Sequence, residues 1–362
     1  MFLLCLSDFY RRDRGFTSLI VFGKVFAERQ LPEVKAVKKH MSRGYGYDGQ
    51  WYAQLAVRPN PWDPELQTAL DSSWYRSIRI LPSLVAAGLG FGSPARAIHI
   101  YALQYPVLWL VIAGLLLHWF PPGTLWDFVA WFGCLFSAGT MVATLRALPD
   151  LWAFALLIVG ARLLDAGRER WAAGVLGLAT LAKEVSLLNA VAFVKRIPRA
   201  RADFRSMLPN LALATFPGVL WMLALRVFGS APRVGEGNFG WPFTGYLERV
   251  WQTFANAPDR RLWQTQALVS VVVALGVQAG FFLLRWRPAD WRWRVGAAQV
   301  FLFALVGTAV WAGYPPATPR IVLPMVFCFN LLVPRTLKYW PVLVLGNLSV
   351  VSGLFLLVRQ AG

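Results

Sequence analysis

The chain has 362 residues, of which 57% are apolar and only 15% charged, and its mean hydropathy is +0.49. A soluble domain carries nearer ~25% charge, so a water-soluble globular protein is excluded. The net charge of +18 would suit nucleic acid. However, the basic residues gather in short loops between apolar runs: Lys195, Arg196, Arg199, Arg201 and Arg205 in one, Arg285, Arg287, Arg292 and Arg294 in another. That is the positive-inside distribution of a membrane protein, with added affinity for anionic lipid head groups. Nucleic acid is therefore rejected as a partner.

The N-terminal stretch 1–77 is the first unit. Residues 16–26 are apolar but short, and predict only a weak first helix. The stretch before Arg11 lacks a small-residue cleavage site, so no cleavable signal peptide is expected. Residues 28–77 are polar and rich in Trp, Tyr, Pro and Gly, without a spanning run, and form an aqueous segment. Residues 80–91 are interrupted by Pro82 and glycines, which leaves a surface helix, a re-entrant helix or a thin crossing open.

From there to 359 the pattern is a transmembrane helical bundle. Apolar runs near the ~20 residues that span a bilayer occur at 97–119, 125–145, 208–228, 267–284, 295–312 and 339–358, with shorter ones at 151–165 and 319–334. Roughly nine to eleven membrane segments are expected in all. Many of the 18 tryptophans flank these runs, where indole rings favour the interface.

The basic loops assign the sides. Residues 195–205 and 285–294 go to the cytoplasm, so loop 229–262 is extracytoplasmic. Within it Tyr246, Leu247, Val250, Trp251 and Phe254 make a helical stripe, with Glu248, Arg249 and Gln252 opposite. This suits a helix lying on the membrane surface. Residues 314–319 form a tight extracytoplasmic turn and 335–338 a cytoplasmic one. Residues 168–170 also read as cytoplasmic, yet a single run, 171–194, separates them from the basic cluster at 195. Lys183 and Glu184 fall in its middle, where a charge costs ~2.5–3.5 kcal/mol on insertion scales. A hairpin of two short helices, with Lys183–Glu184 at an extracytoplasmic apex, resolves both problems. It also puts Pro149 and Asp150 on that side.

Cys5, Cys134 and Cys328 are far apart and read as packing residues. His40, His99 and His118 show no metal-ligand spacing.

Four constellations carry chemistry. In Gly44-Tyr45-Gly46-Tyr47-Asp48-Gly49-Gln50-Trp51-Tyr52, a carboxylate sits among glycines, which let backbone approach a ligand, and aromatics, whose faces suit sugar rings. Asp48 is a candidate general base on a hydroxyl, or the N-cap of a helix over Gly49–Val57, or both. In the segment from Asp71 to Pro82, Arg76 and Arg79 share a helical face. They suit a bidentate grip on phosphate, or ordinary interfacial anchoring. Lys183 and Glu184 are adjacent, so they do not pair with each other. They are a functional candidate, or members of structural ion pairs with Asp150 or Arg320. Arg320, between Pro319 and Ile321, sits at the mouth of an apolar run. It either holds a phosphate or marks the interface. On the topology above these acids and bases collect on one face.

Together, Tyr47-Asp48-Gly49-Gln50-Trp51-Tyr52, Asp71 with Tyr75-Arg76, Arg79-Ile80-Leu81-Pro82, Pro149-Asp150, Lys183-Glu184 and Pro319-Arg320 resemble bacterial members of the GT-C glycosyltransferase superfamily. The resemblance covers about residues 16–335 in order. It implies a multi-spanning enzyme of the bacterial inner membrane, GT-C-like in fold with extracytoplasmic loop helices. Such an enzyme moves a sugar from a polyprenyl-phosphate donor to a glycan, lipid or protein acceptor. By position, Asp48 becomes the catalytic acid of the first extracytoplasmic loop, and Asp71, Asp150 and Glu184 second acids. Arg76, Arg79, Lys183 and Arg320 become donor-phosphate ligands, and Tyr47, Gln50, Trp51 and Tyr52 sugar or acceptor contacts. No metal ligands are assigned, although a divalent ion bridging Asp48 to the phosphate is an open option. The superfamily also has a transmembrane helix before its catalytic loop, where this chain has only the weak stretch before residue 28. The competing readings are a polytopic transporter or lipid flippase, and a non-catalytic membrane scaffold.

Overall fold

The computed structural model describes residues 2–194, 201–228, 237–256, 261–313 and 316–361. Helix accounts for 73% of the chain and strand for 3%, which makes the architecture all-α. Among the described residues three helices are long and apolar enough to cross a membrane: Pro94–Leu116, Arg205–Val227 and Leu262–Leu284. Two further spans follow if each bent pair counts as one: Leu125–Phe136 with Ala138–Leu145, and Leu337–Gly346 with Val350–Val358. Other apolar elements, among them Leu81–Gly90 and Leu323–Leu332, are shorter. The chain is a multi-helical membrane protein on these grounds.

Side-chain chemistry explains the breaks. Between the first bent pair, Ser137 leaves helical geometry and its hydroxyl caps the second helix by accepting from Thr140 N. The two legs then meet at 42°. Gly353 of the second bent pair packs against the carbonyl of Phe136 at this bend. Nearby, buried Asn330 and Asn347 exchange amide hydrogen bonds of 3.0 and 2.8 Å. Small residues and paired amides are how helices approach closely without a hydrophobic driving force. Glycines recur at other crossings: Gly177 meets the backbone of Leu213, and Gly218 meets Thr180. The outer face of Arg205–Val227 exposes Leu213, Phe216, Leu220, Leu223 and Val227. In a bilayer this apolar rim faces lipid.

The run 295–312 is not one helix. Trp291–Leu305 ends at Val306, and Thr308–Trp311 restarts after Gly307. The loop from residue 237 invades here: Gly307 N donates to Asn238 O at 2.8 Å, and Phe239 bridges Val306. Likewise 319–334 divides into Thr318–Ile321 and Leu323–Leu332, the second opening on Pro324. The weak first helix expected at 16–26 is not one continuous helix either. The stretch holds a turn of 3-10 helix at Thr17–Leu19, the two-residue strand Phe22–Gly23, which pairs parallel with Met41–Ser42, and the start of the 3-10 helix Lys24–Arg29. With strand pairing available, this segment joins the polar N-terminal unit instead of forming a span.

The expected surface helix is present as Thr244–Ala255. Its polarity is partly inverted relative to a helix in water, although Glu248 stays exposed. Leu247, Trp251 and Phe254 are exposed, while Arg249 is buried and donates to Gly313 O at 2.9 Å. Outward apolar and inward charged residues suit lipid contact. Loop residues 229–236 and 257–260, the basic residues Lys195, Arg196 and Arg199, and Tyr314 and Pro315 of the expected turn lie outside the described residues.

The hairpin at Lys183–Glu184 takes an unusual form. Glu169–Ala182 is α-helix, Lys183 is extended, and Glu184–Phe193 returns as 3-10 helix. Ten residues at a 2.0 Å rise reach about 20 Å, matching about 21 Å for fourteen α-helical residues. The return leg needs fewer residues because it is more stretched. Arg294 donates to the carbonyls of Val191 and Ala192 at its far end, at 3.0 and 2.6 Å. Arg292 reaches Asp165 at 2.7 Å, and so does Trp119 Nε1. One end of the bundle thus collects Trp119, Asp165, Arg292 and Arg294. Asp150 lies about 22 Å away, at the other end of the helix Asp150–Asp165.

Candidate functional site

That opposite end holds eight charged side chains in one network. Its first member comes from the polar N-terminal unit. Gly46 adopts φ +74° and packs against Gly23 and the carbonyl of Val21. Gln50 clamps the same loop, accepting from Gly23 N at 3.0 Å and donating to Tyr45 O at 2.8 Å. Asp48 then enters the helix Gly49–Val57. Its side chain makes no capping hydrogen bond, which removes the capping reading. Instead it accepts from two arginines far apart in sequence, Arg76 Nη2 at 2.9 Å and Arg320 Nη2 at 3.0 Å. Local capping loses because two full charges outweigh one backbone N–H.

The network continues in both directions. Arg76 grips Asp71 with two hydrogen bonds, 2.9 and 2.6 Å, so Asp71 orients Arg76. Arg320 reaches Asp150 at 3.5 Å, and Lys183 Nζ lies 3.0 Å from the other oxygen of Asp150. Arg79 holds Glu184 in a bidentate pair of 2.7 and 2.6 Å. The hydroxyl of Tyr52 accepts from both Arg76 and Arg79. Tyr75 stacks beneath Arg79, 4.3 Å from ring to guanidinium, and accepts from it at 2.6 Å. Lys183 and Glu184 are chain neighbours and Tyr52 joins Arg79 to Arg76, so the network closes into a ring, with Asp71 attached to it through Arg76; four acids and four bases take part.

The ring is layered. Arg76, Arg79, Lys183 and Asp150 are buried and Arg320 is nearly so, with Asp150 2% exposed, whereas Asp48 is 27% exposed and Asp71 36%. Carboxylates therefore line the open side, backed by guanidinium groups. Burial raises the pKa of Asp48, but the charges of Arg76 and Arg320 outweigh it and hold the carboxyl well below its ordinary value of 3.8. A depressed carboxyl stabilises the fold above its unfolded pKa and loses that contribution as pH falls through the folded value. The Tm in detergent is accordingly expected to be flat from pH 7 to about 5 and to fall below about 4. Asp48→Asn should make this acid limb shallower, and an unchanged limb would contradict the pairing.

Every site residue expected from the sequence except two faces this ring. Tyr47 borders it with its ring 5.8 Å from Arg320, and Tyr52 is a buried member. Gln50 and Trp51 are corrected from ligand contacts to scaffold: Gln50 is spent on backbone, and Trp51 packs on Phe26 at 5.0 Å. Tyr52 is likewise buried, its hydroxyl held by Arg76 and Arg79. The sequence reading missed Tyr75 as a participant. Its signal was the Tyr-Arg-x-x-Arg spacing, which stacks the tyrosine under the second arginine. It also missed Arg146, whose guanidinium lies 5.3 Å from the Tyr47 ring.

Arg320 is positioned by a glycine. Gly139 presses against the carbonyl of Pro319, leaving no room for a Cβ. Gly139→Ala is expected to displace Arg320 from Asp48 and destabilise by about 1–3 kcal/mol, seen as a lowered urea midpoint. A neutral effect would mean that the two helices separate freely.

Among the described residues no three of His, Cys, Asp and Glu gather to hold a metal ion. A divalent ion at Asp48 would have to displace arginines from both of its oxygens. The arrangement defines a class: a multi-helical membrane protein with a closed, charge-balanced ring at one end of its bundle. No family model, curated protein or solved structure matches the chain.

Proposed function

We propose that the ring is the active site of a GT-C-type glycosyltransferase on the extracytoplasmic face of the bacterial inner membrane, drawing sugar from a polyprenyl-phosphate donor. The observation that carries this reading is Asp48, a solvent-reachable carboxylate flanked by two arginines, Arg76 buried and Arg320 nearly so. Buried charge pairs rarely repay their desolvation in stability, so a network of eight charges, half of them buried, is better explained by function. The oxygens that arginines grip in the ring have the same fork geometry as those of a phosphate.

The donor phosphate competes with the carboxylates for Arg76 and Arg320. At rest Asp48 is too weak a base to take a hydroxyl proton, because a general base works best with a pKa near the operating pH. When the phosphate draws the arginines onto itself, Asp48 loses its counter-charges and its proton affinity rises. It then orients the acceptor hydroxyl and receives its proton as the oxygen attacks the anomeric carbon. The anomeric C–O bond to phosphate breaks, and the polyprenyl phosphate leaves with the electron pair, its charge met by preorganised guanidinium groups. Tyr47 supplies an aromatic face beside the reacting sugar.

The test is reconstitution of the full chain with radiolabelled polyprenyl-phosphate sugars and an extracted membrane fraction as acceptor source. Label is expected to pass from the donor into acceptor. If no lipid-linked sugar gives transfer, the reading fails and a transporter, flippase or scaffold role replaces it.

A further inference from the structure

A second cavity, of about 350 Å³, lies beside the ring but uses none of its eight charges. Three distant parts of the chain build it. Arg11 and Gly15 close a tight turn with reciprocal backbone hydrogen bonds of 3.1 and 2.7 Å, helped by φ +54° at Gly15, and present Arg11 and Arg14. The strand Met41–Ser42 brings His40 and Ser42 to the same wall. The helix Ala138–Leu145 ends there and delivers Arg146.

The charge balance is one-sided. Three guanidinium groups face one lining carboxylate, the exposed Asp8, and Arg14 is also shared with Asp13 at 3.2 Å. Among the described residues Arg146 has no carboxylate within ion-pair distance, and its Nε is buried without a hydrogen-bond partner. Ser42 Oγ, from another lining residue, is also buried and unpartnered. Burial and the charges of Arg14 and Arg11 depress the His40 pKa, so its imidazole is neutral at pH 7 and able to donate one hydrogen bond. A buried donor without a partner is costly in any protein, and guanidinium, hydroxyl and imidazole donors converging on one cavity match the acceptor oxygens of phosphate.

We propose that the cavity lined by Arg11, Arg14, His40, Ser42 and Arg146 is a binding site for a phosphate or diphosphate group. Arg146 is its principal ligand. The site is separate from the ring, in which each base already has a carboxylate, and it does not depend on the transferase reading. The Tyr47 ring lies between the two, 5.3 Å from Arg146 and 5.8 Å from Arg320. The same chemistry fits a free anion and a phospholipid or prenyl-phosphate head group.

The experiment titrates the detergent-purified full chain with inorganic pyrophosphate by calorimetry, and in parallel follows retention of farnesyl phosphate by native mass spectrometry. Wild type is expected to bind at least one probe saturably. Binding of pyrophosphate alone assigns a free anion, and binding of farnesyl phosphate alone or of both assigns a head group. Arg146→Met is expected to weaken that binding about tenfold or more, and Arg146→Lys, which keeps charge but loses the fork, to fall between. Should Arg146→Met fail to fold, the double variant Arg11→Gln with Ser42→Ala tests the rest of the lining and is expected to weaken binding by a similar factor. The proposal is overturned if neither probe binds wild type, or if binding survives both variants. Sugar transfer measured on the same preparations separates the two claims. Transfer without probe binding removes only this site, and probe binding without transfer removes only the transferase.

Discussion

Arg320→Met is expected to destabilise the folded protein by about 3–5 kcal/mol, the range for removing one partner of a buried ion pair. Arg320 bridges two acids, so its loss strands both. Asp48 keeps only Arg76, and Asp150, almost wholly buried, keeps only Lys183. Methionine fills similar space without charge, which isolates the electrostatic loss from a cavity. The double variant Arg320→Met with Asp150→Asn should recover part of the loss, because one stranded charge is then removed, with a coupling of about 0.5–3 kcal/mol. Urea midpoints of the four proteins in detergent read the cycle. A loss below about 1 kcal/mol is the behaviour of an exposed pair and would mean that the ring is open to water.

The second large effect falls on activity. Asp48→Asn is expected to lower transfer about 10²–10⁴-fold, the usual contribution of a positioned acid–base group, while the protein still folds. Asparagine is nearly isosteric and keeps one acceptor oxygen for an arginine. It cannot take a proton from the acceptor hydroxyl. The loss should therefore appear in kcat more than in KM, because donor phosphate binds through Arg76 and Arg320. Arg76→Lys should show the reverse bias, raising KM for the donor, since lysine cannot hold Asp71 and a phosphate oxygen together with a planar fork. Undiminished transfer by a folded Asp48→Asn protein would end the catalytic assignment of that residue.

Much of this was legible in the residues alone. Long apolar runs and basic short loops define a membrane protein with separated ends, because hydrocarbon admits only internally satisfied backbone. The charge pair in 171–194 was enough to call for a break at Lys183, and the chain does leave the α-helix there. The acids and bases of the ring were also visible one at a time. Their pairing was not. Arg76 and Asp48 are 28 positions apart, and Arg320 and Asp48 are 272 apart. No periodicity connects positions so distant.

The tertiary structure decided which role won where the local chemistry allowed two. Asp48 had a helix to cap and instead took two arginines. Residues 16–26 had apolar content for a helix and instead broke into short 3-10 turns around a two-residue strand pair. Gln50 and Trp51 sat in the right motif but point into the packing that shapes the loop. In each case a partner brought from elsewhere in the chain offered more than the neighbour in sequence. Composition and pattern thus determined that the chain enters a membrane and which of its ends is charged. Only folding determined that those charges cancel in a closed ring, because long-range ion pairing depends on where the helices cross.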